Sequence, residues 1–242
     1  MTRWAALPAF CLLFISRAAA QDPFEIHIYE YEPMDWKEYS LEAHLNVTAQ
    51  GSSLRDRTLL PTARQTHLTI EPTMGLSPNF AIGMMFLNAW EPGYSPQFAG
   101  WRVLPHVYLP ESWNLPVRIG FVSEFSFQKT RYEENSRRVE LRPILDREFS
   151  RWQVVFNPVF ERALHGPGTE HGWNFEPALL VRWKRRAFSP SVEYYWRWKA
   201  SPSGRISNLR YINCFSEATG RPGLSSASTW VWDSISATKD PG

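Results

Sequence analysis

Cysteine is almost missing: among 242 residues only Cys11 and Cys214 occur, and Cys11 falls within the first 20. A disulfide framework and a cysteine-based zinc site are excluded. Net charge is missing too. The formal +2 includes Arg3 and Arg17, so residues 21–242 carry Lys/Arg and Asp/Glu in equal number. A balanced chain without a basic block has no electrostatic footprint for nucleic acid, which is excluded as a partner. After the first 20 residues, no apolar run reaches the roughly 20 residues that a spanning helix needs. What abounds is aromatic: Phe, Trp and Tyr make up 15%, with 12 Trp. Mean hydropathy is nevertheless negative, so the aromatics must be segregated onto one face of something.

The first 20 residues read as a secretory signal. Arg3 gives the positive start, residues 4–15 the apolar run, and Ala18-Ala19-Ala20 a small-residue cleavage site before Gln21. The expected product is exported and begins near Gln21.

From residue 38 onward the period is 2. Tyr39, Leu41, Ala43, Leu45 and Val47 alternate with Ser40, Glu42, His44, Asn46 and Thr48. The same pattern predicts strands at 67–74, 80–90, 99–109, 117–128, 138–145, 152–161, 173–183 and 192–198, and the helical template fits none of them as well. Each run is about ten residues. Soluble strands usually take five or six, whereas a tilted membrane strand needs about nine to eleven. Short turns at 76–79, 110–114, 146–150 and 185–190 interleave with polar loops at 50–63, 91–98, 129–135 and 163–171. Outer-membrane barrels alternate short periplasmic turns with longer outside loops in that way. Trp90, Trp101, Trp113, Trp152, Trp173, Trp183 and Trp198 fall near predicted strand ends, where an interfacial girdle belongs.

A soluble β-sandwich, or a soluble periplasmic β-barrel binding protein, would also alternate. Its enclosed face would be apolar, however, and here the polar face is heavily charged while the apolar face is too aromatic to meet water. Lipid outside and a polar lumen inside accommodate both, and closure removes the strand edges. Pro72, Pro105, Pro143, Pro158 and Pro177 each remove a ladder donor and call for bulges. The predicted fold is all-β, an antiparallel membrane-type up-and-down barrel, with about nine or ten strands present and closure incomplete, since bacterial barrels hold an even number.

Four stretches carry a resemblance: Tyr39-Ser40-Leu41-Glu42-Ala43-His44-Leu45-Asn46, Gly100-Trp101-Arg102-Val103-Leu104-Pro105-His106, the run from Glu124 to Glu133, and Asn157-Pro158-Val159-Phe160-Glu161-Arg162. They resemble a family of bacterial outer-membrane β-barrel proteins of transporter-like or porin-like type, over about residues 25–198. The resemblance implies a location and a barrel of about 12 strands, an even number as such barrels require. It carries over no substrate and no catalytic residue. It implies outer-membrane lipid, the barrel-assembly machinery and periplasmic chaperones as partners, with self-association left open.

The lumen-facing set predicted from the alternation is His44, His67, Glu71, Arg102, His106, Arg118, Glu124, Glu140, Arg142, Glu161, Glu176 and Arg182. In a small barrel such groups pair and fill the interior, or line a narrow aqueous path whose selectivity they set. On the lipid face each would cost about 2–4 kcal/mol at the midplane. A lipid- or ester-active enzyme is the alternative of a different class, with His44 beside Ser40 or Ser126, but no Gly-x-Ser-x-Gly elbow accompanies them. His165, Glu170 and His171 sit near Gly166-Pro167-Gly168, which reads first as turn chemistry. The sequence therefore assigns no catalytic residue, no metal and no cofactor.

Two segments fall outside the barrel pattern. The acidic stretch at 21–37 alternates from Glu25 to Glu32 and reads as an acidic segment, an extra strand or a small plug. After about Trp198 alternation stops, and nine serines crowd residues 200–242. That tail is expected to be irregular. Read in the frame formed by each third base with the next two, 230–237 can encode Gly-Leu-Gly-Phe-Asp-Phe-Gly, so a frameshift would account for it.

Overall fold

In a computed structural model of the chain, the described residues are 24, 27–48, 52–56, 58–91, 94–185, 189–200 and 206–217, with 197–200 and 206–217 described as backbone only. The segment 1–20, read above as a secretory signal, and the tail beyond 217 lie outside them. The fold is all-β: an antiparallel up-and-down sheet curled into a half-barrel. Its strands are β1 (Tyr39–Val47), β2 (Thr66–Ser77), β3 (Phe80–Trp90), β4 (Gln97–Tyr108), β5 (Arg118–Gln128), β6 (Arg137–Phe149), β7 (Trp152–Asn157), β8 (Phe160–His165), β9 (Trp173–Phe175), β10 (Ala178–Trp183), β11 (Ser189–Ala200) and β12 (Ile206–Glu217).

The predicted runs at 152–161 and 173–183 each appear as two segments, and proline is the reason. Pro158 separates β7 from β8, and Pro177 separates β9 from β10. Register nevertheless continues across both breaks: Ala178 faces Asn157 and Phe160 faces Phe175 on one diagonal of the ladder. Each pair of segments is one strand interrupted where a donor is lacking. Pro72, Pro105 and Pro143 instead stay inside strands, partnered with Leu41, Ile82 and Phe121 respectively.

Two expectations are corrected. The turn predicted at 146–150 contracts, because β6 runs on to Phe149 and β7 begins at Trp152. Asp146, placed in that turn, is a fully buried strand residue, and Arg118 on β5 pairs with it at 2.8 Å. The tail is not irregular throughout, since residues 206–217 form β12, paired with β11 along its whole length. An edge strand presents a row of unpaired N–H and C=O groups that a neighbouring backbone can satisfy whatever its side-chain pattern.

Alternation decides which side of the sheet each residue takes. The outward row Ile70, Phe86, Trp101, Phe127 and the row Met84, Val103, Phe125, Val139 run continuously across strands. Many outward side chains are exposed, among them Leu41, Phe86, Val107, Phe125, Phe160 and Val192. From β1 to β10 the outward positions hold no Asp, Glu or Lys, and their charges are Arg137, Arg147 and Arg162, toward the strand ends.

Candidate functional site

The inner face is where the charge lies. His44, His67, Glu71, Arg102, His106, Glu124, Glu140, Glu161 and Arg182 are buried on it, with Arg118, Arg142 and Glu176 partly buried. The structure thus brings the eleven of them that lie on strands to one side of the sheet, while Glu176 lies between β9 and β10. Most are knitted into ion pairs. Arg102 on β4 lies 3.2 Å from Glu124 on β5, and Arg138 on β6 lies 2.9 Å from Glu161 on β8. Arg142 holds Glu140 at 2.7 Å, two residues along the same face of β6. Glu124, Glu140 and Glu161 are direct cross-strand neighbours. Three carboxylates in a row would repel; Arg102, Arg138 and Arg142 flank them and make the row tenable.

What covers this face was not read from the strand pattern. Residues 24 and 27–35 lie along it as an extended strap that belongs to no strand. Of the readings open for the acidic segment, the described part is not a strand of the sheet. At one end Asn46 and Thr69 donate to the Phe24 carbonyl at 3.0 and 3.1 Å, and the Phe24 ring sits edge-on to His67. In the middle the Arg142 guanidinium donates to the His27 carbonyl and stacks 4.6 Å from the Tyr29 ring centroid. Asn157 receives the Tyr29 N–H and donates to the Tyr29 carbonyl, replacing the ladder partners that the strap lacks. At the far end the Tyr31 hydroxyl donates to the Leu109 carbonyl at 2.6 Å, and its N–H donates to Asp146.

Glu30 is the strap's anchor. Both its oxygens accept from Arg182, each at 2.6 Å, and Gln153 donates to it at 2.8 Å. Such a bidentate fork is the strongest form of charge-assisted hydrogen bond. The signal for it was partial: Arg182 faces Gln153 on one side and Ser191 on the other, so neither direct cross-strand neighbour supplies its carboxylate. After the strap the chain turns at 35–38 and enters β1. Here Gly75 is required, because a Cβ on it would clash with the Asp35 carbonyl oxygen.

The tryptophans divide between the two ends of the sheet. Trp113 in a short 3-10 turn, Trp152 opening β7 and Trp183 closing β10 mark one end; Trp90 closing β3 and Trp173 opening β9 mark the other. Trp101 lies further into its strand and stacks on Phe127, with ring centroids 4.3 Å apart. Trp152 and Trp183 are direct partners and stack. The side chain of Trp198 lies outside the described residues, although its backbone belongs to β11.

The residues weighed for catalysis are dispersed. Ser126 lies on β5, remote in the sheet from His44 on β1, and accepts from Gln128. His44 Nε2 instead faces the carboxylates of Glu42 and Glu71. His165 bonds to Ser136, while Glu170 and His171 are exposed in the turn Pro167–His171. Comparisons with protein families, with curated proteins and with solved structures each find no match.

Proposed function

We propose that this chain is an outer-membrane protein of β-barrel type whose inner face is filled by its own side chains and by the strap of residues 24 and 27–35, with a structural rather than catalytic role. The observation that carries the reading is the inversion of faces. Exposed apolar residues form a band without acids or lysines outside, and buried ion pairs fill the inside. Lipid is the solvent that suits such an outer band, and two zones of tryptophan fit its interfaces. The strap and the ion pairs occupy the inner face, which favours a plugged interior over an open aqueous path.

Expressed with its leader, the chain is expected in the outer-membrane fraction, with gel mobility that changes on heating. Recovery as a soluble periplasmic monomer without detergent would overturn the membrane reading and favour a periplasmic binding protein. In planar bilayers the intact protein is expected to be silent, and Glu30→Gln with Arg182→Ala is expected to raise conductance. Steady conductance of the unaltered chain, with selectivity changed by Arg102→Ala or Glu124→Ala, would replace the plug with a passive pore. Phospholipid or ester turnover lost on His44→Ala would overturn both.

A further inference from the structure

Outside the arginine pairs, the inner face holds one cluster of a different chemistry. Glu42 on β1 and Glu71 on β2 are direct cross-strand partners, an arrangement in which like charges repel. His44, two residues along the same face, places Nε2 3.7 Å from Glu42 Oε2 and 3.6 Å from Glu71 Oε2. Donor atoms of all three lie within 4.8 Å of one another, the one such group of three among the described residues. A tetrahedral zinc-type ion with ligands at about 2.0–2.2 Å sets its donors roughly 3.4 Å apart. The two measured edges are within a few tenths of an ångström of that spacing.

A second observation points to the same place. His106 is 6% exposed, and its Nε2 has no hydrogen-bond partner. The ring is oriented from the other side, where Nδ1 lies 3.2 Å from the Tyr108 hydroxyl. A Cβ on Gly83 would lie 3.4 Å from both His106 Nε2 and Glu71 Oε1. Both atoms therefore border the small space over the bare glycine backbone, with the Thr73 hydroxyl 3.0 Å from the same point. Glu71 presents Oε2 to His44, while its Oε1 borders the same space as His106 Nε2. Metal-ligating carboxylates are commonly held by an outer hydrogen-bond donor, a place that His106 Nε2, without a partner here, can fill once an ion draws Glu71 into position. Access is provided by Glu42, whose side chain is 46% exposed while those of His44 and Glu71 are 5% and 6%.

We propose that Glu42, His44 and Glu71 bind one divalent cation of zinc type, with His106 positioning Glu71. Imidazole with two carboxylates favours zinc over magnesium, which takes oxygen donors and keeps its waters. The ion would neutralise the Glu42–Glu71 repulsion beneath the strap, where the His27 ring centroid lies 6.1 Å from that of His44. The inference rests on inner-face residues alone and holds wherever the sheet resides.

The test is calorimetric titration of zinc chloride into the full, tag-free, chelator-treated chain in detergent, with magnesium chloride as comparison. One zinc per chain is expected, with magnesium weaker. His44→Ala should abolish binding, and His106→Gln should weaken it about 10- to 100-fold. Glu42→Gln, at a half-exposed position where folding is retained, should weaken it at least about tenfold and decides the matter if His44→Ala fails to fold. His171→Ala should leave affinity unchanged. Absence of zinc binding, equal affinity for magnesium, or affinity unmoved by Glu42→Gln would overturn the proposal. So would a loss caused by His171→Ala.

Discussion

The two sides of the inner face balance charge by different means. From β5 to β10, guanidinium groups meet carboxylates directly: Arg118 with Asp146, Arg138 with Glu161, Arg142 with Glu140 and Arg182 with Glu30. From β1 to β4, the basic groups near Glu42 and Glu71 include the imidazoles of His44 and His106, with His67 nearer the strand end, while Arg102 on β4 pairs toward β5 with Glu124. Arginine is charged at every relevant pH, whereas an imidazole is not. One side is therefore a fixed frame, and the other contains imidazoles whose charge changes with pH. The strap meets the two sides accordingly. It is gripped by charge-assisted bonds from Arg142, Gln153 and Arg182, and on the other flank by ring edges from His67, His106 and Tyr108.

Removing an acid from the arginine side gives the largest expected effect. Glu30→Ala strands a buried guanidinium and should lower stability by about 3–5 kcal/mol, measured by denaturant unfolding in detergent. Adding Arg182→Ala should cost much less than the sum of the two single changes, and simple additivity would show that the fork is not the anchor. Next, an arginine on the other side of the same strand sharpens the contrast between faces. Phe125→Arg, beside Glu124, should cost about 2–4 kcal/mol in a bilayer; a negligible cost there would place that face in water. Asn157→Ala loses both bonds to the Tyr29 backbone and should cost about 1–3 kcal/mol. The smallest effect belongs to the histidine side, where Tyr108→Phe keeps the ring and drops the hydroxyl at His106, costing about 0.5–1.5 kcal/mol. A Tyr108→Phe loss as large as that of Glu30→Ala would erase the distinction between the sides.

Period two was enough to sort the sheet, because a strand has no third option: each residue faces in or out. That is why His44, Arg102, Glu124 and Arg182 could be assigned to one side without coordinates. The strap escaped that logic. Ile28, Tyr29 and Tyr31 are all buried, a pattern of neither strand nor helix, since its shape follows the cavity and not a ladder. Glu30 was legible only indirectly, through the missing partner of Arg182. β12 escaped for the opposite reason: its partner is backbone, and residues 206–217 carry little alternation to announce it. The cluster at Glu42, His44 and Glu71 was half visible. His44 and Glu71 were assigned to the inner face, but the third member and the role of Gly83 depend on the β1–β2 and β3–β4 registers.

The strap also imposes an order of events in time. It precedes every strand among the described residues, yet Tyr29 is held by Asn157, 128 residues later, and Glu30 by Arg182, 152 residues later. The sheet itself is a meander whose successive hairpins form from neighbouring sequence. Local pairs close quickly, whereas distant ones wait on chain entropy. The first residues to leave the strand-free region are thus among the last to be fastened. Fastening of the strap therefore requires Asn157 of β7 and Arg182 of β10 to be in place first.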